Sequence, residues 1–143
     1  MLAVQLNGKW GFINKENKIV IPCKYNQVYE FEKNFARVEL GGKWSFVNKS
    51  GKEIVPFKYE YVNDFPAGTA KVKYQNKWGF INQEGKEVIP CIYDKVEQDF
   101  YEGRAMVKKQ NDYFYIDIKG TIIEKIGQLG DTEMMVLSPT DME

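Results

Sequence analysis

Apolar and polar residues alternate with a period of two along short stretches of this chain. Ala36-Arg37-Val38-Glu39-Leu40 is the pattern of a strand with one buried face. Gly41-Gly42 follows, then a second strand, Lys43-Trp44-Ser45-Phe46-Val47-Asn48. Asn48-Lys49-Ser50-Gly51 reads as a turn in which the Asn side chain caps local amides and glycine takes the left-handed position. Glu53-Ile54-Val55-Pro56 is expected as a third strand, ended by a proline that has no amide for a ladder. No apolar helical face persists for the roughly ten residues or more that a stable helix wants. The expectation is an all-β chain.

The same pattern recurs. Trp10, Trp44 and Trp78 lie 34 residues apart, and Tyr113 follows 35 further on. Pro22, Pro56 and Pro90, then Tyr25, Tyr59 and Tyr93, then Val28, Val62 and Val96 keep the period. A repeat of this length is the mark of a solenoid, propeller or array. Residues 1–124 are therefore expected to form four β-meander units (about 2–35, 36–69, 70–104 and 105–124) in an open solenoid-like array. A small, closed, propeller-like array is the rival. Residues 125–143 are expected as a C-terminal cap or tail, with Met134-Met135-Val136-Leu137 as the covering strand.

Two local points stay open. The connector, Pro-x-x-Tyr-x-x-Val-x-x-Phe, suits one helical turn or a kinked strand. The hairpin turns read Asn7-Gly8, Gly41-Gly42, Gln75-Asn76 and Gln110-Asn111, residues that tolerate positive φ. A two-residue loop sets Val38 across from Ser45 and Glu39 across from Trp44. A bulged turn sets Val38 across from Trp44 instead, and a slip of one residue exchanges the two faces. Both faces of the middle strand are apolar (Trp10 and Phe12 on one, Ile13 on the other), so units are expected to stack over each other.

Lys9-Trp10-Gly11-Phe12-Ile13-Asn14 and Lys77-Trp78-Gly79-Phe80-Ile81-Asn82, with their trailing Gly-Lys segments, resemble the bacterial WG-containing repeat, also called the KWG repeat. The resemblance spans roughly residues 2–124. Repeat two departs at Ser45, where the family has glycine, and repeat four replaces Lys-Trp-Gly by Asp112-Tyr113-Phe114. The resemblance implies a tandem β-repeat module of bacterial proteins, read as an interaction scaffold, with no reaction attached.

Composition narrows the chemistry. Lys+Arg and Asp+Glu balance at 20 each, and Arg37 and Arg104 are the only arginines, so neither nucleic-acid binding nor membrane insertion is expected. No apolar run approaches the ~20 residues of a membrane span. The chain has no histidine, which removes the Ser-His-Asp triad and most zinc sites. No catalytic, metal or cofactor site is expected, and the protein is read as not an enzyme. Cys23 and Cys91 recur at one repeat position and are expected as free, buried hydrophobes, two units apart. Those thiols, and a start without the pattern of a secretion leader, lean towards the cytoplasm. The sequence is equally compatible with a domain of a longer protein.

The repeated rings, Trp10, Trp44, Trp78, Tyr113, Tyr25, Tyr59 and Tyr93, are expected as a core ladder, with the tyrosine hydroxyls finding backbone partners. Glu53 and Glu87 are read as part of a solvated rim. Aromatics that the repeat does not demand are better recognition candidates: Tyr29, Tyr61, Phe57, Tyr74 and Tyr101. The expected function is a non-catalytic module for protein–protein interaction or scaffolding, and the alternative is a glycan or cell-wall binding domain using exposed aromatics.

Overall fold

The computed structural model describes residues 1–65 and 68–128 of the chain. The Met134–Leu137 run expected to cap the array lies outside the described residues. Strands β1 (Leu2–Leu6), β2 (Lys9–Ile13) and β3 (Ile19–Tyr25) form the first sheet. The second holds β4 (Gln27–Val28), β5 (Phe35–Leu40) and β6 (Lys43–Asn48). The third holds β7 (Tyr61–Val62), β8 (Thr69–Tyr74), β9 (Lys77–Asn82) and β10 (Glu87–Tyr93). The fourth holds β11 (Lys95–Tyr101), β12 (Arg104–Lys109), β13 (Asp112–Asp117) and β14 (Ile122–Gln128), which runs past the expected boundary at 124. Every pairing is antiparallel between neighbours in sequence, no helix occurs among the described residues, and no sheet closes into a barrel. The architecture is an open array of β repeats.

The connector is a kinked strand, and it belongs to the next unit. Val28, Val62 and Val96 sit opposite Val38, Val72 and Val107 on the first hairpin strand of the sheet that follows. Each hairpin turn is a two-residue loop, so Val38 faces Ser45 and Glu39 faces Trp44. Gln75 and Asn76 hold φ of 49° and 66°, the left-handed pair that matches strand twist. A connector side chain closes three of these turns. Asn26 Oδ1 accepts from Gly41 N at 2.9 Å, Glu60 Oε1 from Asn76 N at 2.9 Å, and Asp94 Oδ2 from Gln110 N at 2.6 Å. The hydrogen bonds from Lys77 and then from Gln110 hold the Asp94 carboxyl below the usual carboxylate range.

The third strand departs from expectation in two ways. In β3 and β10 the proline does not end the strand. The register shifts between Phe12↔Ile21 and Trp10↔Tyr25, and likewise between Phe80↔Ile89 and Trp78↔Tyr93. Pro22 and Pro90 fall within those bulges, where no ladder amide is required. In unit 2 the expected strand at Glu53–Pro56 does not form, and only the isolated bridges Val47↔Glu53 and Trp44↔Tyr59 remain. Glycine explains the difference. A Cβ on Gly11 would lie 2.4 Å from the Ile21 carbonyl oxygen, and one on Gly79 2.5 Å from that of Ile89. Unit 2 has Ser45 in this slot, and its hydroxyl donates to the Val55 carbonyl at 2.7 Å.

Three cores lie between adjacent units. Phe12, Ile21 and Tyr25 of unit 1 pack with Ala36, Val38 and Val47 of unit 2. Phe46, Val55 and Tyr59 pack with Ala70, Val72 and Ile81, and Phe80, Ile89 and Tyr93 with Ala105, Val107 and Ile116. One face of each sheet therefore covers the opposite face of the next. A three- or four-stranded meander cannot bury its own apolar side, so stacking supplies the stability.

Candidate functional site

The repeated tyrosines tie units together through side chains rather than backbone. Tyr25 donates its hydroxyl to Glu53 of the next unit at 2.6 Å, and Tyr59 donates to Glu87 at 2.9 Å. Glu53 and Glu87 are thus inter-unit acceptors and not merely a solvated rim. Burial, then the carboxylate partner, pushes both phenols well above their ordinary range. The Tyr25 hydrogen bond, with Lys24 at 3.1 Å behind it, holds the Glu53 carboxyl low. Among the described residues Tyr93 has no such acceptor, because Ile122 takes the glutamate's place in unit 4; burial raises its pKa. Both cysteines are free and half-buried, and burial pushes the Cys91 thiol up to about 12. A thiol so protonated is a poor nucleophile.

The tryptophans sit elsewhere. Tyr25, Tyr59 and Tyr93 are buried, whereas Trp10, Trp44 and Trp78 are half-buried at the rims of the cores. Tyr113, in the same position of unit 4, is buried. In two successive sheets the half-buried tryptophan meets a tyrosine ring. Tyr29, just after β4, lies 5.6 Å from Trp44, and Tyr61 of β7 lies 5.4 Å from Trp78. Tyr29, Arg37, Trp44, Tyr61 and Val62 line a small cleft of about 70 Å³ between the second and third sheets. That volume admits one side chain and falls far below that of a cofactor site.

Arg37 organises this cleft. Its guanidinium stacks on the Tyr29 ring at 3.9 Å, lies 3.1 Å from Asp64, and donates to the Val62 carbonyl at 3.4 Å. The Arg37 Nε is close to Asp64 without the angle of a hydrogen bond, so the pair is ionic rather than bidentate. One unit further on, Lys71 repeats the arrangement with Asp99 at 3.4 Å and Trp78 at 5.7 Å. Lys73 also lies 5.6 Å from the centre of the Trp78 ring. The result is a stripe of four rings, Tyr29, Trp44, Tyr61 and Trp78, edged by cations.

Of the recognition candidates read from sequence, Tyr29 and Tyr61 meet in this stripe, 49% and 39% exposed. The others do not join them. Phe57 stacks on Tyr25 at 6.1 Å and packs against the first core. Tyr74 packs edge-on against Tyr59 at 6.3 Å, with Lys58 above it at 4.9 Å. Tyr101 is 65% exposed at the end of β11 and touches no other ring among the described residues. Sequence reasoning missed Arg37. The signal was its rarity: both arginines stack on tyrosines, Arg104 on Tyr115 at 4.0 Å. Among the described residues no three His, Cys, Asp or Glu side chains gather as a metal site would require.

Comparison with known families decides the class. The model of the WG containing repeat matches residues 10–44, 44–78 and 78–113, three consecutive repeats. The chain belongs to this family. No curated protein matches it. The Trp-Gly dipeptide now has a physical reading in units 1 and 3. The tryptophan is the rim ring, and the glycine lets the third strand close behind it. The WG units also give the stripe its spacing, since each sheet contributes its tryptophan from the same strand position.

Proposed function

We propose that this WG repeat protein is a non-catalytic recognition module that binds an extended segment of a protein partner along the Tyr29–Trp44–Tyr61–Trp78 stripe. The observation that carries the reading is the pairing of Tyr29 with Trp44 and of Tyr61 with Trp78 at half-exposed positions. The repeat demands neither tyrosine, and packing does not need them. Tyrosine, tryptophan and arginine at the centre of a patch are the residues that carry most binding energy at protein interfaces. The cleft is shallow and small, which suits side chains presented by an extended chain.

Glycan binding is the second reading, favoured by the partly exposed rings of Tyr29 and Tyr61, since sugars stack on aromatic rings. Parallel selections separate the two. A displayed peptide library and an immobilised glycan panel are offered to the wild-type chain and to the Tyr29→Ala/Tyr61→Ala variant. The expected result is a set of peptides retained by the wild type and lost by the variant. Retention of glycans alone, lost by the same variant, overturns the proposal in favour of the second reading.

A further inference from the structure

Resting on the reading of the stripe as a protein-recognition surface, we infer that its ligand is a proline-rich segment in the polyproline conformation, with an acidic residue at the end lying over Trp78. Spacing is the first argument. The Tyr29–Trp44 pair belongs to the second sheet and the Tyr61–Trp78 pair to the third. Sheets packed face to face lie ~10 Å apart. A polyproline helix has three residues per turn and rises ~3.1 Å per residue, so residues i and i+3 fall ~9 Å apart on one edge. Successive prolines of that edge thus meet successive Tyr–Trp pairs. A β-strand presents same-side residues only ~7 Å apart and drifts out of step.

Hydrogen bonding is the second argument. A polyproline chain makes no internal hydrogen bonds, so its carbonyls need donors from outside. The indole N–H groups of Trp44 and Trp78 and the Tyr29 hydroxyl donate to nothing among the described residues, and all three belong to the stripe. The cleft between the pairs, about 70 Å³, is of the size that takes one pyrrolidine ring.

Charge supplies the polarity. Arg37 is neutralised by Asp64, and Lys71 by Asp99. Lys73, opposite Trp78 on the neighbouring strand, has no carboxylate within ion-pair distance among the described residues. At the other end of the stripe Glu39 stands opposite Trp44. The stripe is thus negative at its Trp44 end and positive at its Trp78 end, which orients a ligand carrying a carboxylate at one end.

Tryptophan fluorescence of the whole chain tests this. It is titrated with a peptide having proline at every third position over about three turns and a glutamate pair at one end. The controls are the same peptide with glycine for proline, and a β-linked glucan oligosaccharide. The proline peptide is expected to bind at least ~10-fold more tightly than the glycine peptide, and Tyr61→Ala to weaken it ~10-fold, the loss of one interface anchor. Lys73→Gln is expected to weaken it ~3-fold and to flatten its salt dependence. Circular dichroism establishes that both variants fold. Equal binding of the two peptides, still sensitive to Tyr61→Ala, overturns the proline preference and leaves the protein-recognition reading standing. A response to the oligosaccharide alone overturns both. Failure of the proline peptide to bind the folded wild-type chain overturns the inference.

Discussion

Units 1 and 3 carry glycine after their tryptophan, unit 2 carries Ser45, and the third segments behind them differ accordingly. Behind Gly11 and Gly79 a seven-residue strand closes onto the hairpin (Ile19–Tyr25 and Glu87–Tyr93), with its proline held in a bulge. Behind Ser45 the chain forms only isolated bridges to the hairpin, at Glu53 and Tyr59, and the serine hydroxyl bonds the Val55 backbone in place of a ladder. Yet Val55 and Tyr59 remain buried in the core to unit 3, as Ile21 and Tyr25 are in the core to unit 2. The lesson is that side-chain stacking between units, not the ladder within one, holds the third segment in place.

The largest test of this contrast is Gly79→Ala. The added carbon would lie 2.5 Å from the Ile89 carbonyl oxygen and 2.7 Å from the Pro90 carbonyl carbon, backbone atoms that cannot swing aside. A loss of roughly 3 kcal/mol is expected, at the upper end of the usual range for overpacking, read from the denaturation midpoint. A variant as stable as wild type would show that the close approach is not needed.

The inter-unit tyrosines come next. Tyr59→Phe removes the bond to Glu87 and is expected to cost about 1.5 kcal/mol or slightly more, as hydrogen bonds to charged groups do. Tyr93→Phe removes no such bond among the described residues and is expected to stay within ~0.5 kcal/mol of wild type. Equal costs for the two would break the distinction between units joined by a tyrosine–carboxylate bond and units without one.

Titration sharpens the same point. Glu53 has a lowered folded pKa, so the stability it adds is present above the ordinary carboxylate value of ~4.3 and is lost as pH falls through the folded value. Tyr25 has a raised one, so its contribution is present below ~10 and is lost as pH rises beyond that. A stability plateau between these limits is expected, and Glu53→Gln should flatten its acid edge. An unchanged acid edge in that variant would remove Glu53 from the account.

The smallest effect expected is that of Ser45→Gly. Losing the hydroxyl's bond to Val55 and gaining a flexible glycine are offset by the restored ladder, leaving a net change within ~1 kcal/mol. Amide exchange at Lys52–Val55 should slow as that ladder forms. Unchanged exchange would show that serine is not what keeps this segment out of the sheet.

Much of the fold was legible in the chain. The 34-residue period, the two-residue alternation and the turn residues dictate four β units, and the recurring Phe, Ile/Val, Tyr and Ala-x-Val positions are the residues the cores use. The bulged proline was not legible, because sequence shows where an amide is missing but not whether the ladder has skipped that position. Nor was the place of the tryptophans: exact repetition of a large ring reads as core, while a rim position repeats just as faithfully.

The sequence by itself determined the unit and its repetition, since these follow from local alternation and from turns whose φ only certain residues accept. Tertiary structure alone decided the recognition stripe. Tyr29 and Tyr61 stand 32 residues apart, out of step with the period, and nothing local joins them. They meet at one cleft because each connector strand pairs with the unit that follows it, carrying its tyrosine to that unit's tryptophan. Stacking then sets the two pairs side by side, a distance that no pattern along the chain encodes.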